Sequence, residues 1–324
     1  MEGKVVATEG DAVKVTRPKL TLDITVLMGG PSSERDVSLV SGAAIAEALE
    51  GLGHRVQQAD ISPRDTSALD REGIDVVFIA LHGAFGESGE VQQLCEQRGL
   101  RYTGSPQRAS EIAMDKTAAK AVFARAGLAV PEGKVITAKD DPAQVRAWMA
   151  TLGLPIVLKP ADGGSSVDVT IAKTADLAER ALADLLAKYG CGLVERFVRG
   201  REFTVGVLGD RALPVLQVIP PGEFYDYTAK YADNSGTRYV FDHGLPAKMA
   251  EAMQSAALVA HRALGCRDMS RVDFILPGDG LPVVLEVNTI PGFTGHSLLP
   301  MAAARVGISF PLLVERIVAM AMQR

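Results

Sequence analysis

An α/β fold with a parallel sheet at its N-terminal end is what the sequence predicts, and three observations predict it. β-rich runs alternate with helical periodicity through the first third, glycine turns follow those runs, and the last third holds a short hairpin of alternating polar and apolar residues. At 324 residues the chain exceeds one typical core, so two or three compact units are expected. Hydrophobic residues at 47% and charged residues at 23% describe a globular protein rather than a disordered one. A formal net charge of −5 disfavours a nucleic-acid partner, so any anion must be held locally. Cys95, Cys191 and Cys266 are odd in number and widely spaced, which predicts small buried side chains rather than disulfides or a zinc site. The polar stretch Met1 to Lys19 lacks an apolar signal region, and runs such as Asp75 to Leu81 fall far short of a bilayer. A cytoplasmic protein without membrane association is expected, with residues 1–21 as a flexible tail.

The first unit is read from 22 to 104. Leu22-Asp-Ile-Thr-Val-Leu-Met28 is β-rich, Gly29-Gly30-Pro31-Ser32-Ser33-Glu34 is a turn, and a capped amphipathic helix is expected from about Asp36 to Leu52. Val76 to Leu81 repeats the pattern and runs into His82-Gly83-Ala84-Phe85-Gly86-Glu87 before another helix; loops after such strands are where parallel sheets bind ligands. Past Tyr102-Thr103-Gly104-Ser105-Pro106, a helix holding Asp115-Lys116 opens a second unit, 105 to 196. There Leu154 to Pro160 and Val167 to Ala172 read as a hairpin joined by the glycine-rich Ala161 to Ser166, with Leu193 to Arg196 as a further strand. The third unit, 197 to 324, holds a strand from Glu202 to Leu208, a polar loop from Gly222 to Thr237, a helix from about Lys248 to Leu264, a hairpin, and a helix from Pro311 to Met322.

The hairpin carries the strongest chemical signal. Arg271-Val-Asp273-Phe-Ile-Leu276 and Val283-Val-Leu-Glu286-Val-Asn288 flank the turn dipeptide Asp279-Gly280. Pairing centred there sets Asp273 opposite Glu286 and Arg271 opposite Asn288 on one face, with Val272, Phe274, Leu276, Val283, Leu285 and Val287 on the other. Opposed carboxylates repel, and a divalent cation relieves the repulsion; the oxygens of Asp273, Glu286 and Asn288 suit Mg²⁺, which bridges carboxylates to phosphates. Neutralisation by Arg271 alone at a solvated surface is the simpler alternative.

Other segments signal less. Lys159 ends an apolar strand and reads equally as a phosphate contact or a snorkelling surface lysine. The amides and hydroxyls of Gly163-Gly164-Ser165-Ser166 could close over a phosphate, whereas a Walker loop and a dinucleotide fingerprint are both missing. Glu195 and Glu202 flank the turn Val198-Arg199-Gly200, as acceptors for an amino group and sugar hydroxyls or, equally, as salt-bridged surface residues. Three of the six tyrosines fall between Phe224 and Tyr231, which predicts a lid. In the run from Asn288 to Ser297, the Pro291-Gly292 turn can aim N–H groups at developing charge and Ser297 can anchor a carboxylate. His82 and His296 are loop residues with or without a role. No Ser-His-Asp order or supported Cys-His pair appears, so covalent catalysis by the protein is not expected.

Gly29-Gly-Pro-Ser-Ser-Glu-Arg-Asp-Val-Ser38, Leu81-His-Gly83, Tyr102-Thr-Gly-Ser105, Met114-Asp-Lys116, Lys159-Pro160 with Gly164-Ser-Ser-Val167, Glu202-Phe-Thr-Val205, Phe224-Tyr-Asp-Tyr-Thr-Ala-Lys-Tyr231, Arg271-Val-Asp273 and Glu286-Val-Asn-Thr-Ile-Pro-Gly292 occur in this order. Together they resemble the motifs of the D-alanine–D-alanine ligases of the ATP-grasp superfamily, from about residue 22 to the C-terminus. The resemblance implies a three-domain ATP-grasp fold with an N-terminal parallel-sheet domain, ATP clasped between the central and C-terminal domains, a homodimer, and a role in peptidoglycan synthesis. At matching positions it implies Lys116, Lys159 and Ser166 at the nucleotide phosphates, Glu195 at the adenine amino group and Glu202 at the ribose. Asp273, Glu286 and Asn288 would hold two Mg²⁺ (or Mn²⁺) ions. Glu34, supported by Ser165 and Tyr231, would bind the ammonium of the first D-alanine, with His82 also at the substrate, and Ser297 the carboxylate of the second.

The implied reaction is attack of one carboxylate on the γ-phosphate, then attack of a second amine on the acyl phosphate. Arg271 and the Gly292 amide would stabilise the oxyanion, while Lys230 and the metal offset phosphoryl charge. A related ligase with a D-lactate or D-serine acceptor is the alternative, and the Lys230-Tyr231 pair favours an amine. A non-catalytic nucleotide-binding module has no need of both metal carboxylates. Two departures stand out: Asp168 replaces a usual glycine, removing backbone freedom and adding charge near the phosphates, and Ser88 replaces a usual aspartate.

Overall fold

The computed structural model describes residues 21–162, 164, 167–222, 236–278 and 280–324. Ser165, Ser166, Asp279, the tyrosine-rich run Phe224 to Tyr231 with its Lys230 and Tyr231, and the stretch expected to be a tail up to residue 20 lie outside the described residues.

Strand β1 (Asp23–Met28), helix α1 (Arg35–Gly51), strands β2 (Arg55–Asp60) and β3 (Val76–Ile79) and helix α2 (Glu90–Gln97) build a three-stranded parallel sheet in the order β2-β1-β3. Side-chain alternation explains why β3 is an unbroken apolar run. Ile24, Val26, Val76 and Phe78 pack toward Ile45, Ala46 and Leu49 of α1, whereas Leu27, Val77 and Ile79 meet Val91 and Cys95 of α2. The side-chain cap expected for α1 is not formed. Glu34 occupies the N-cap position without capping, and Ser32 Oγ instead accepts from the Glu34 N–H at 3.1 Å and donates to the His82 carbonyl at 2.6 Å. The turn is thereby tied to the loop leaving β3.

Helices α3 (Gln107–Met114) and α4 (Lys116–Arg125) follow, the latter capped by Asp115. Next come β4 (Gly133–Thr137), α5 (Pro142–Leu152), β5 (Ile156–Lys159), β6 (Thr170–Ala172), α6 (Ala175–Tyr189) and β7 (Cys191–Arg196). Their strands form an antiparallel sheet, β4-β7-β5-β6, over a core that includes Ile136, Leu158, Leu182 and Val194. Strand β6 starts at Thr170 rather than Val167, because Val167 and Asp168 turn the chain and Asp168 sits at φ 56°.

Asp168, expected as a charge near the phosphates, has partners of its own in that turn. Its carboxylate accepts from Lys188 Nζ and the Tyr189 hydroxyl at the end of α6, and these bonds hold its pKa below the ordinary value. A left-handed backbone costs a side-chain-bearing residue about 1–2 kcal/mol, and glycine would relieve that cost while losing both exposed contacts. Asp168→Gly is therefore expected to change stability by less than about 1 kcal/mol and the KM for ATP by less than about threefold; thermal melts and steady-state assays check both.

The last sheet comprises β8 (Arg201–Leu208), β9 (Arg211–Ala212), β10 (Leu216–Ile219), β11 (Arg238–Val240), β12 (Met269–Leu276) and β13 (Val283–Asn288), with helix α7 (Ala247–Leu264) between β11 and β12. It runs β11-β10-β8-β12-β13, with β9 on β8, and its pairings are antiparallel. Helices α3, α4 and α7 cover one face, where Ala109, Phe123, Met253 and Ala257 meet Phe203, Val205, Val272 and Phe274. Helices α8 (Leu298–Arg305) and α9 (Phe310–Met322) close the chain and join this region to the parallel sheet, with Leu313, Val314 and Ile317 packing among Ile24, Ile45 and Phe78. No single described helix is long and apolar enough to cross a membrane. All three cysteines are free, with Cys95 and Cys266 buried and Cys191 half-buried.

Candidate active site

Strands β12 and β13 pair as the turn dipeptide predicts at their functional end, with Arg271 across from Asn288 and Asp273 across from Glu286. The register then slips by one, so that Phe274 faces Val284 and Ile275 faces Val283. Leu285 is the extra residue of a β-bulge. The expectation that Val283 and Leu285 join the buried face fails for that reason: Val284 takes the buried place, and Leu285 lines a cleft beside Ile275 and Glu286.

Charge around the paired acids is already balanced in part. Arg271 grips Asp273 through both ends of its fork, Nε to Oδ1 at 2.9 Å and Nη2 to Oδ2 at 2.8 Å, while Thr204 Oγ1 donates to Oδ1 at 2.6 Å. Glu286 lies against Lys116, whose Nζ is 3.9 Å from Oε2, and its charge also reaches Lys159 and Lys120. Arg271 alone therefore does not neutralise the pair.

A cleft of about 590 Å³ separates the four-stranded from the six-stranded sheet. Apolar walls from Val157, Ile171, Ile219, Ile275 and Leu285 lead to polar groups at one end, the usual make-up of a small-molecule site. Lys116, Lys159, Glu195, Glu202, Asp273 and Glu286 all line it, so residues of six elements, α4, β5, β7, β8, β12 and β13, meet here. Glu195 on β7 is buried, and its carboxylate forms ion pairs with Lys120 and, at 2.8 Å, with Lys159 Nζ. It is therefore not a surface glutamate, and Lys159 is no snorkelling surface residue. Lys120 escaped the sequence reading, although its spacing of four from Lys116 puts both on one helix face, where like charges call for a carboxylate between them. Burial pulls the Lys120 ammonium well below its ordinary pKa, and the Lys159 charge adds to the effect.

A second cavity of about 120 Å³ opens beside the first, and Glu34, Lys116, Gly164 and Glu286 line both. His82, Arg271, Asn288, Gly292, His296 and Ser297 complete its polar rim. Glu34 is buried against the loop leaving β3, where a Cβ added at Gly83 would lie 3.0 Å from its Oε2. Gly292 is held as closely: a Cβ there would come within 2.7 Å of Ser297 Oγ, so only glycine lets the turn close on that hydroxyl. Ser297 Oγ in turn accepts from the Thr294 N–H at 2.9 Å.

Glu87 also escapes the sequence reading as a site residue, although its neighbour Ser88 stands out there as a departure from the family pattern. It lines this cavity with its carboxylate 3.7 Å from His82 Nδ1, and burial pushes its pKa up, opposed by His82 and assisted by the Glu34 charge. The Ser88 hydroxyl accepts from the Phe85 N–H at 2.9 Å and faces Glu90 at 3.4 Å, closing the turn before α2. Of the expected site residues, only Ser165, Ser166, Lys230 and Tyr231 lie outside the described residues.

Comparisons with known proteins agree on one group. The family profile "D-ala D-ala ligase C-terminus" matches residues 122–319 and "D-ala D-ala ligase N-terminus" matches residues 54–105. The D-alanine–D-alanine ligase of Anaeromyxobacter dehalogenans (strain 2CP-1 / ATCC BAA-258) is 45% identical over 294 residues, which span 91% of this chain and 95% of that protein. Among solved structures, D-alanine–D-alanine ligase from Bacillus anthracis complexed with ATP superposes with a TM-score of 0.81 at 32% identity, covering 94% of this chain and 98% of that one. The VanG D-Ala:D-Ser ligase from Enterococcus faecalis gives 0.82 at 26% identity, covering 93% and 100%. These neighbours carry the ATP-grasp fold.

Proposed function

The chain belongs to the D-alanine–D-alanine ligase family, and from that premise we propose that it condenses two D-alanine molecules with ATP to D-alanyl-D-alanine, ADP and phosphate, supplying peptidoglycan synthesis. The observation that carries this reading is the junction of the two cavities. A nucleotide-sized cleft meets a small polar chamber across Lys116 and Glu286, so a γ-phosphate in one and a carboxylate in the other come together.

The first D-alanine, its ammonium at Glu34, attacks the γ-phosphorus through its carboxylate; the bond to the bridging oxygen breaks and ADP leaves behind a D-alanyl phosphate. The amine of the second D-alanine, its carboxylate at Ser297, then attacks the carbonyl carbon. Arg271 and the Gly292 N–H meet the oxyanion, whose collapse expels phosphate while the attacking nitrogen gives up its extra proton to that departing phosphate. Lys116 and Lys159 serve the phosphates and Glu202 the ribose, with Glu195, steadied by Lys120, at the adenine amino group. Parts for His82, Ser165, Ser166, Lys230 and Tyr231 are supported by the family resemblance.

Two Mg²⁺ (or Mn²⁺) ions fit the donor set. Asp273, Glu286 and Asn288 offer only oxygen, from one face of β12 and β13, and the two carboxylate side chains keep 14% and 34% exposure at the junction. Such ions supply charge neutralisation and polarisation of the phosphoryl oxygens. An enzyme drawing on ATP belongs in the cytoplasm, and the resemblance supports a homodimer. We also propose three domains, 22–104, 105–196 and 197–324, with α3 and α4 bridging the second and third.

Phosphate release and product identity, measured with D-alanine, D-lactate and D-serine in turn, test the acceptor. Dipeptide from D-alanine alone is expected; release that requires a hydroxy acid would reject the reading. A pH series tests Lys159, whose ammonium burial pushes down to about 8, with Lys116 adding and Glu286 and Lys120 opposing. Below that pH a buried positive charge awaits the phosphates, and above it the charge is lost, so the KM for ATP is expected to rise as pH passes about 8. Stability runs the other way. An unfolded lysine titrates near about 10.4, so between the two values the unfolded chain holds the extra proton and folding stability linked to Lys159 grows with pH. A flat KM across this range would remove Lys159 from the phosphates.

A further inference from the structure

Three serines of the segment between Pro31 and Gly42 make bonds that the catalytic reading does not use. Ser32 binds the His82 carbonyl, Ser38 Oγ donates to the Ala80 carbonyl at 2.7 Å, and Ser41 meets the His82 ring. Ser41 is fully buried in α1, and two groups reach its oxygen. The Phe293 N–H donates to it at 3.3 Å, and His82 Nε2 lies 3.3 Å away. Phe293 follows Gly292, whose amide serves the oxyanion, and its ring is locked edge-on against Phe78 at 5.8 Å. One hydroxyl thus touches both walls of the small chamber.

Hydrogen counting assigns a direction to this chain. A backbone N–H can only donate, so Ser41 accepts from Phe293 and has one proton of its own to place. Given to the lone pair on His82 Nε2, that proton leaves the ring hydrogen on Nδ1, which faces the Glu87 carboxylate at 3.7 Å. Ser41 then uses both a lone pair and its proton, and the ring hydrogen has a carboxylate at ion-pair distance, beyond a hydrogen bond. The reverse arrangement, with a hydrogen on Nε2, makes the Ser41 oxygen accept twice and leaves its hydroxyl proton to find another acceptor.

We propose that Ser41 is a positioning residue that holds His82 as the Nδ1–H tautomer and ties it to the Gly292–Phe293 turn, so that the ammonium side and the oxyanion side of the chamber keep one spacing. Its kinetic consequence rests on the ligase reading, whereas its spectroscopic consequence does not. In the full-length parent protein, long-range ¹⁵N–¹H spectra of labelled histidine are expected to show His82 protonated on Nδ1 and bare on Nε2; the opposite pattern overturns the proposal whatever the activity. Ser41→Ala is expected to shift the His82 Nε2 resonance and to lower kcat roughly tenfold, the factor of one mis-set hydrogen bond, with the KM for ATP unchanged. Ser41→Thr, which keeps the hydroxyl, restores both. An alanine variant with parent-like His82 resonances, or with parent-like kcat, also overturns it. Loss of D-alanine ligation in the parent protein would instead reject the ligase reading and leave the tautomer standing.

Discussion

Glu286→Gln is expected to reduce turnover by roughly 10³-fold, the upper range for removing one preorganised charge-stabilising group, with little change in melting temperature. Glu286 is the cleaner of the two acids to change. Asp273 is gripped by Arg271 and Thr204, so its removal would also release an arginine into the chamber. The Glu286 side chain keeps 34% exposure beside Lys116, so an amide of the same shape can sit there in reach of water. The substitution lowers the negative charge that draws a divalent ion between the strands. Turnover should recover in part at high Mg²⁺ or Mn²⁺ if the loss lies in ion affinity. Phosphate release measured across a metal titration, alongside a thermal melt, reads both effects. Parent-like turnover at low metal would sink the assignment of Glu286 as a metal ligand.

The part of the site most legible in the sequence was the part set by local rules. A turn dipeptide and a period of two put Asp273 across from Glu286, although the pairs nearer the turn, Phe274–Val284 and Ile275–Val283, stand one residue off that register and a bulge makes up the difference. The rule failed at the very next residue, Leu285, since a bulge inserts a residue without any compositional sign. Helix α1 and strands β1 and β3 were legible as a βα pattern, their apolar runs long enough to set both class and direction. What the chain withheld was non-local. Lys120 meets Glu195 across 75 positions of sequence, and Ser41 meets Phe293 across 252. Nothing in either neighbourhood names the partner, because a buried polar group is satisfied by whatever the fold brings to it. The docking of α3 and α4 on the six-stranded sheet belongs to the same class.

Arg271→Lys is expected to lower kcat by about 10²-fold while the KM for ATP stays within a few-fold of the parent value. Charge alone does not describe what Arg271 does. Two of its nitrogens are committed to Asp273 at 2.9 and 2.8 Å, which fixes the plane of the guanidinium at the rim shared with Gly292 and Ser297. A lysine keeps the charge beside Asp273 but offers a point donor on a flexible stem, so it can hold the carboxylate or lean toward an oxyanion, not both in fixed geometry. The deficit should therefore fall on the second half-reaction, where negative charge gathers on the carbonyl oxygen, more than on the phosphoryl transfer, which the lysines near the cleft support. Hydroxylamine separates the two: it traps an acyl phosphate as the hydroxamate. The variant is expected to form hydroxamate at a rate closer to the parent's than its rate of dipeptide formation. Equal losses in both products would move Arg271 from the oxyanion to the phosphoryl step, and no loss in either would remove it from the chemistry.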